Sequence, residues 1–281
     1  MKRNQGSKQS GLRLVGLGGF ARIRACWASF AIGMLVLAPV SGCGGERKPL
    51  ETPLRIAAAS DLTLALPRLI ERFEGETHLK ATSVLGVSGQ LANQIKEGAP
   101  YDVFMAADQA YVDGLATSGS IEAVSVHSYA RGSLVLAVRS ELADQVRSLE
   151  DLTGPAVKRI ALANPAFAPY GRAGKQALER AGLWPRVEAK VVMGESVRQA
   201  LIYVERGDAE AALVGLAIAR SPSIHAVEIR SDLYDPIIQA LGIVARSSQR
   251  DEAGRFVAFV LSDTGQAILK DFGFQPAPTR R

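Results

Sequence analysis

Leu54-Arg55-Ile56-Ala57-Ala58-Ala59-Ser60-Asp61-Leu62 opens the folded part of the chain. Its first six residues form a short, largely apolar run of strand type. After Ser60 the spacing changes. Leu62, Ala65, Leu66, Leu69, Ile70 and Phe73 recur at three and four residues, which predicts a helix ending at Gly75. A serine at that junction predicts an N-cap. The pattern then repeats. Residues 79–85 read as a strand, and Gly86-Val87-Ser88-Gly89 as a turn whose Ser88 caps a helix with Leu91, Ala92 and Ile95, stopped at Gly98. Residues 101–106 read as a third strand, with Asp108 capping a third helix. Three βα units in succession imply a parallel sheet with helices on its faces.

Beyond Arg131 the pattern restarts. Residues 133–138 and 158–163 read as strands, the second entering the loop Asn164-Pro165-Ala166-Phe167-Ala168-Pro169-Tyr170-Gly171. A helix is predicted over 172–181, a strand over 187–192, a helix over 197–206 introduced by Ser196, and a strand over 211–214. The C-terminal stretch offers one more strand, 237–244, and two helices, too little for a third domain. It is expected to cross back and complete the first half. The predicted organisation is an α/β protein of two domains, 54–130 plus 236–281 and 131–235, each a mostly parallel sheet flanked by helices. Two crossing segments, near Ala130-Arg131-Gly132 and between Ser223 and Pro236, join them as hinges beside a cleft.

Upstream of this unit the character changes. The 281 residues are 47% hydrophobic and 22% charged, which excludes a disordered chain. The formal charge is +5, but residues 1–42 hold six lysines and arginines and no acid, leaving 27 basic against 28 acidic residues beyond them. The basic excess therefore belongs to the leader, and a nucleic-acid surface loses its support. Lys2 to Arg24 make a basic segment, and the uncharged stretch 25–40 is shorter than the roughly 20 apolar residues of a membrane span. Val40-Ser41-Gly42-Cys43 resembles a bacterial lipobox, which implies a signal peptide over 1–42 and a lipid on Cys43. Residues 43–53 then form a tether. No cysteine follows Cys43, so the mature chain offers neither a disulfide nor a cysteine metal site.

Four loops share one character: Ser60-Asp61, Val87-Ser88-Gly89, Pro169-Tyr170-Gly171 and Ser196-Val197 each leave a strand and open a helix. In open α/β sheets ligands bind beyond the carboxyl ends of strands, where helix N-termini present unpaired N–H groups and partial positive charge. Two such ends from each half would form an anion site without lysine or arginine.

Longer motifs carry a resemblance. Ala57-Ala58-Ala59-Ser60-Asp61-Leu62, Ser88-Gly89-Gln90-Leu91-Ala92-Asn93-Gln94-Ile95, Gly98-Ala99-Pro100-Tyr101-Asp102-Val103-Phe104-Met105-Ala106-Ala107-Asp108 and Ala168-Pro169-Tyr170-Gly171-Arg172-Ala173 resemble the periplasmic molybdate-binding proteins of molybdate ABC transporters over residues 54–275. The resemblance implies a type II periplasmic-binding-protein fold. It implies a monomeric, non-enzymatic protein that captures molybdate, and tungstate with it, for an ABC permease and its ATPase, with no cofactor. It further implies hydroxyl donors at Ser60 and Ser88 and backbone N–H donors at Tyr170 and Val197. Some members carry a ligand tyrosine where this chain has Gly215; Tyr170, after Pro169, fits another branch of the family.

The residue chemistry agrees. Molybdate is a dianion with four acceptor oxygens and no donor, so it suits a pocket of hydroxyl and amide donors. Asp61 is the awkward neighbour. Its carboxylate is expected to complement the helix dipole and turn away, while its N–H remains a further oxyanion ligand. Sulfate is the alternative anion. The rival enzyme class is a lipoprotein serine hydrolase, because Gly86-Val87-Ser88-Gly89-Gln90 is one position from a nucleophile elbow. It would need a base, and His78, His127 and His225 fall in none of the four loops and lack metal-ligand spacing. Gly16-Leu17-Gly18-Gly19-Phe20-Ala21 precedes no βαβ unit and reads as leader.

Overall fold

A computed structural model describes residues 52–278. The leader, Cys43 and the tether up to residue 51 lie outside the described residues. In chain order the elements are β1 (Leu54–Ala59), α1 (Ala65–Thr77), β2 (Ala81–Gly86), α2 (Ser88–Lys96), β3 (Val103–Ala106), α3 (Gln109–Thr117), β4 (His127–Gly132) and β5 (Leu134–Arg139). Then come β6 (Ile160–Ala163), α4 (Pro169–Arg180), α5 (Trp184–Val187), β7 (Val191–Gly194), α6 (Val197–Glu205), β8 (Ala211–Gly215), β9 (Ile224–Glu228), β10 (Ile237–Ile243), α7 (Arg250–Leu261) and α8 (Asp263–Asp271).

The strands form two five-stranded sheets built on one plan, β2-β1-β3-β10-β4 and β7-β6-β8-β5-β9. In each, a central strand pairs in parallel with two neighbours: β1 with β2 and β3, and β6 with β7 and β8. The remaining pairings are antiparallel: β10 with β3 and β4, and β5 with β8 and β9. The sheets are thus mixed rather than mostly parallel. The cause is the crossing itself. β4 and β10 lie beside the points where the chain passes between sheets, and β10 returns running against β3.

The inner strands of each sheet are buried on both faces, while the edge strands β2 and β9 stay partly exposed. On one face of the first, Leu66, Leu69 and Phe73 of α1 meet Phe256 and Val260 of α7. The rings of Phe73 and Phe256 stand edge to face at 5.2 Å. A fully buried phenylalanine truncated to alanine costs about 3–5 kcal/mol, so this cluster anchors that half. Leu91 and Ile95 of α2 with Val112 and Leu115 of α3 cover the other face. Ala173, Ala177 and Leu178 of α4 and Leu201 and Val204 of α6 join the core of the second sheet.

Several local expectations change. Ser60 opens a single 3-10 turn, Ser60–Leu62, and α1 begins at Ala65 without a side-chain cap. α1 continues past Gly75 to Thr77, closed by His78 in the left-handed conformation (φ 60°). Ser88 is the first helical residue of α2 and caps nothing. Residue 187 is helical, not strand: Pro185 pre-sets the first turn of α5, and β7 starts only at Val191. β4 and β9 carry apolar patterns too weak to predict full strands; pairing with β10 and β5 creates them.

Candidate functional site

Ser60 follows β1 and Ser88 follows β2, and those strands are adjacent and parallel, with Ala59 opposite Gly86 at their ends. Tyr170 and Val197 follow β6 and β7, which end together with Ala163 opposite Gly194. The sequence thus places all four loops at the carboxyl ends of two parallel pairs. The tertiary structure turns the two pairs toward one another. Ser60, Asp61, Ser88, Tyr170 and Val197 line a single cavity of about 10 Å³ with Ala59, Gly86, Val87, Ala107, Ala168 and Pro169. On this scale one water needs roughly 10–15 Å³, so the space as it stands is too small for a sugar or peptide.

The donors are specific. Ser88 Oγ accepts from the Ala107 N–H at 3.1 Å, which leaves its own hydrogen to be donated elsewhere. Among the described residues the Ser60 hydroxyl has no hydrogen-bond partner, although the Ser60 carbonyl accepts from Thr63 Oγ1 at 2.6 Å. Tyr170 is the second residue of α4 and Val197 the first of α6. Backbone N–H groups at those positions have no acceptor within their helices. Ser196 caps α6 by accepting from the Gln199 N–H at 3.1 Å. Gly171 makes the approach of α4 possible: a β-carbon there would fall 2.0 Å from the Ala163 carbonyl oxygen.

No lysine or arginine lines the cavity; its one ionisable carboxyl is Asp61. Asp61 is 1% exposed. Its Oδ2 accepts from Gln239 Nε2, while Oδ1 is buried without a hydrogen-bond partner. Burial raises this carboxyl to about 6, offset in part by the Gln239 amide and the neighbouring Tyr170 hydroxyl. The carboxyl is thus buried and held by Gln239 of β10 rather than left in solvent at the helix start. Burial, and secondarily the Asp61 charge, pushes the Tyr129 and Tyr170 hydroxyls well above their usual range, so both act as neutral hydrogen-bonding groups.

Tyr170 points its side chain away from the role expected of its backbone. Its Oη accepts from Gln239 Nε2 at 3.2 Å, and its ring packs over Gly132 and Gly215. Sequence reasoning singles out neither Gln239 nor Tyr129, which donates to Gln239 Oε1 at 2.5 Å. The available signal is one polar residue inside the apolar run Ile237-Ile238-Gln239-Ala240-Leu241. His78, His127 and His225 are exposed and none lines the cavity, so Ser88 has no imidazole beside it. Among the described residues no cluster of three or more His, Cys, Asp or Glu is arranged to hold a metal ion.

Known proteins are similar to this chain in sequence and fold. The family model described as bacterial extracellular solute-binding protein matches residues 54–275. A Bacillus subtilis protein named as a putative ABC transporter substrate-binding lipoprotein, YvgL, is 31% identical over 242 residues, covering 84% of this chain and 92% of that one. The molybdate-binding protein ModA of Azotobacter vinelandii is 30% identical over 255 residues, covering 88% and 98%. The solved periplasmic molybdate-binding protein of Azotobacter vinelandii superposes with a TM-score of 0.76, over 80% of this chain and all of that one. The sulfate-binding protein SubI of Mycobacterium tuberculosis, at 16% identity and a TM-score of 0.70, covers 81% of this chain and 88% of its own and shares the fold.

Proposed function

The chain belongs to the bacterial extracellular solute-binding protein family, and from that premise we propose that it captures molybdate, and tungstate with it, as the extracytoplasmic component of an ABC importer. The observation that carries this reading is the cavity between two parallel strand pairs, lined by hydroxyls and helix-start N–H groups and by no cation. Molybdate offers acceptors alone, so each donor can be used, while the Asp61 carboxyl is engaged by Gln239. The ligand set is Ser60 and Ser88 through their hydroxyls and Tyr170 and Val197 through their N–H groups, with the Asp61 N–H as a further candidate. The molybdate-binding relative of Azotobacter vinelandii is 30% identical, against 16% for the sulfate-binding neighbour, which supports molybdate over sulfate.

In this reading the protein is a monomeric binder without a catalytic residue or cofactor. It delivers the anion to a membrane permease driven by an ATPase, and a lipid on Cys43 holds it at the membrane. The name of the Bacillus subtilis relative supports the anchor. Calorimetric titration with molybdate, tungstate, sulfate and phosphate tests the anion assignment. Molybdate and tungstate should bind tightly and sulfate more weakly. Equal heats and affinities for sulfate and molybdate would reject the assignment and leave the solute-binding fold in place.

A further inference from the structure

Gln239 stands on β10, the strand that returns the chain to the first sheet, and it is fully buried. The pairing of β10 with β4 shifts register between Gln239 and Ala240, an irregularity of the kind that re-aims a side chain. The amide has two donor hydrogens and one acceptor oxygen. Both kinds of valence are used. The nitrogen bonds Asp61 Oδ2, one residue from Ser60, and Tyr170 Oη at 3.2 Å. The oxygen accepts from Tyr129 Oη at 2.5 Å. Asp61 and Tyr129 belong to the half built on the first sheet, whereas Tyr170 opens α4 of the other half.

Two of these bonds lie within its own half and leave one N–H of the buried amide over. The third takes that hydrogen to the opposite half and ends on Tyr170, a residue that lines the cavity. Separating the halves must therefore break the Gln239–Tyr170 bond. Other contacts cross at the rim, where Gly89 N and Tyr111 Oη both donate to the Phe167 carbonyl at 3.2 Å and Arg172 pairs with Asp108. The Tyr111 and Arg172 contacts are part-exposed, and water competes for them. Gln239 is buried behind the cavity, where water does not.

Resting on the oxyanion reading of the cavity, we infer that Gln239 is a positioning residue: it latches Tyr170 to Asp61 behind the bound anion and slows anion release without touching the anion. A bond present in the closed state and absent in the open one shifts that equilibrium toward closure. A bound anion leaves only through the open state, so the latch acts on dissociation. Because it contacts no oxygen of the ligand, it lengthens the residence of molybdate and tungstate alike.

The test uses the full chain loaded with radioactive molybdate and mixed rapidly with excess unlabelled anion. Tyr170→Phe keeps the ring and the N–H and deletes the hydroxyl; Gln239→Met keeps the shape and deletes the amide. Each should speed release by roughly 3- to 10-fold, the range of one ordinary hydrogen bond. In Gln239→Met, which touches no ligand oxygen, association and the molybdate-to-tungstate ratio should stay unchanged. In the Gln239→Met background, Tyr170→Phe should add nothing further, because its partner is already gone. If Gln239→Met fails to fold, the release rate of Tyr170→Phe decides alone. Release of Tyr170→Phe at the wild-type rate, or its full effect persisting beside Gln239→Met, overturns the latch while the anion reading stands. Wild-type protein that retains no molybdate overturns the anion reading itself and the latch with it.

Discussion

A β-carbon on Gly215 would lie 2.9 Å from the ring of Tyr170. Gly215 ends β8 and Tyr170 opens α4, so a single volume at the back of the cavity is filled from α4 and must be empty on β8. This gives a physical reason for the absent tyrosine at 215: the aromatic ring arrives from the other element instead. Gly132 completes the slot, since a β-carbon there would fall 2.1 Å from Tyr170 Oη.

Gly215→Ala should therefore push on a packed ring. Overpacking of this kind costs about 1–3 kcal/mol. Urea denaturation should show that loss, and the double variant Gly215→Ala with Tyr170→Ala should lose less than the two single costs together. Strict additivity would mean that the two residues do not share the volume.

Ser60→Ala and Ser88→Ala should each weaken molybdate binding. A hydrogen bond to a charged group contributes about 1.5–3 kcal/mol, or roughly tenfold to a hundredfold in affinity. The two variants should differ in stability. Ser88→Ala also leaves the Ala107 N–H without its acceptor, whereas the Ser60 hydroxyl bonds nothing among the described residues. Titration calorimetry beside thermal melting separates the effects, and unchanged affinity in both variants would remove these loops from the site.

Asp61 makes stability depend on pH in the direction opposite to an ion-paired carboxylate. Its value rises from 3.8 to about 6 on folding because burial disfavours the charge. Between those values the unfolded chain ionises while the folded chain keeps its proton. The Asp61 contribution to stability is therefore highest below about pH 4, falls as pH climbs to about 6, and changes no further above that. The accumulated cost is on the order of 3 kcal/mol. Asp61→Asn carries no such cost. Urea midpoints of the two proteins at pH 4, 5, 6 and 7.5 should show the variant gaining on wild type across that window. A constant difference would show that Asp61 does not titrate there.

Cys43→Ala should release the protein from the membrane fraction. The basis is the basic leader, the uncharged stretch 25–40 and the small residues before Cys43. Metabolic labelling with palmitate should mark wild type and leave the variant unlabelled. Absence of label on wild type would end the lipoprotein assignment.

The sequence by itself determined most of the elements and their order, with β4, α5 and β9 the exceptions. Apolar runs of four to six residues alternating with three-four spacing yield strands and helices wherever they occur, and Asp108 and Ser196 cap helices through their own side chains, as local chemistry requires. It also placed Ser60, Ser88, Tyr170 and Val197 where a strand gives way to a helical turn. It placed the return of 237–244 to the first half, since a lone strand with two helices cannot bury a core of its own. Tertiary structure decided what no local window contains. Pairing across the crossing made β4 and β9 strands and made both sheets mixed. Ser88 became an acceptor for Ala107 rather than a cap because β3 ends beside it. The carboxyl of Asp61 turned inward because Gln239, 178 residues later, offers it a donor where water does not reach. A buried polar group takes the partner that packing supplies, and that partner is fixed by long-range strand order, on which neighbouring residues carry no information.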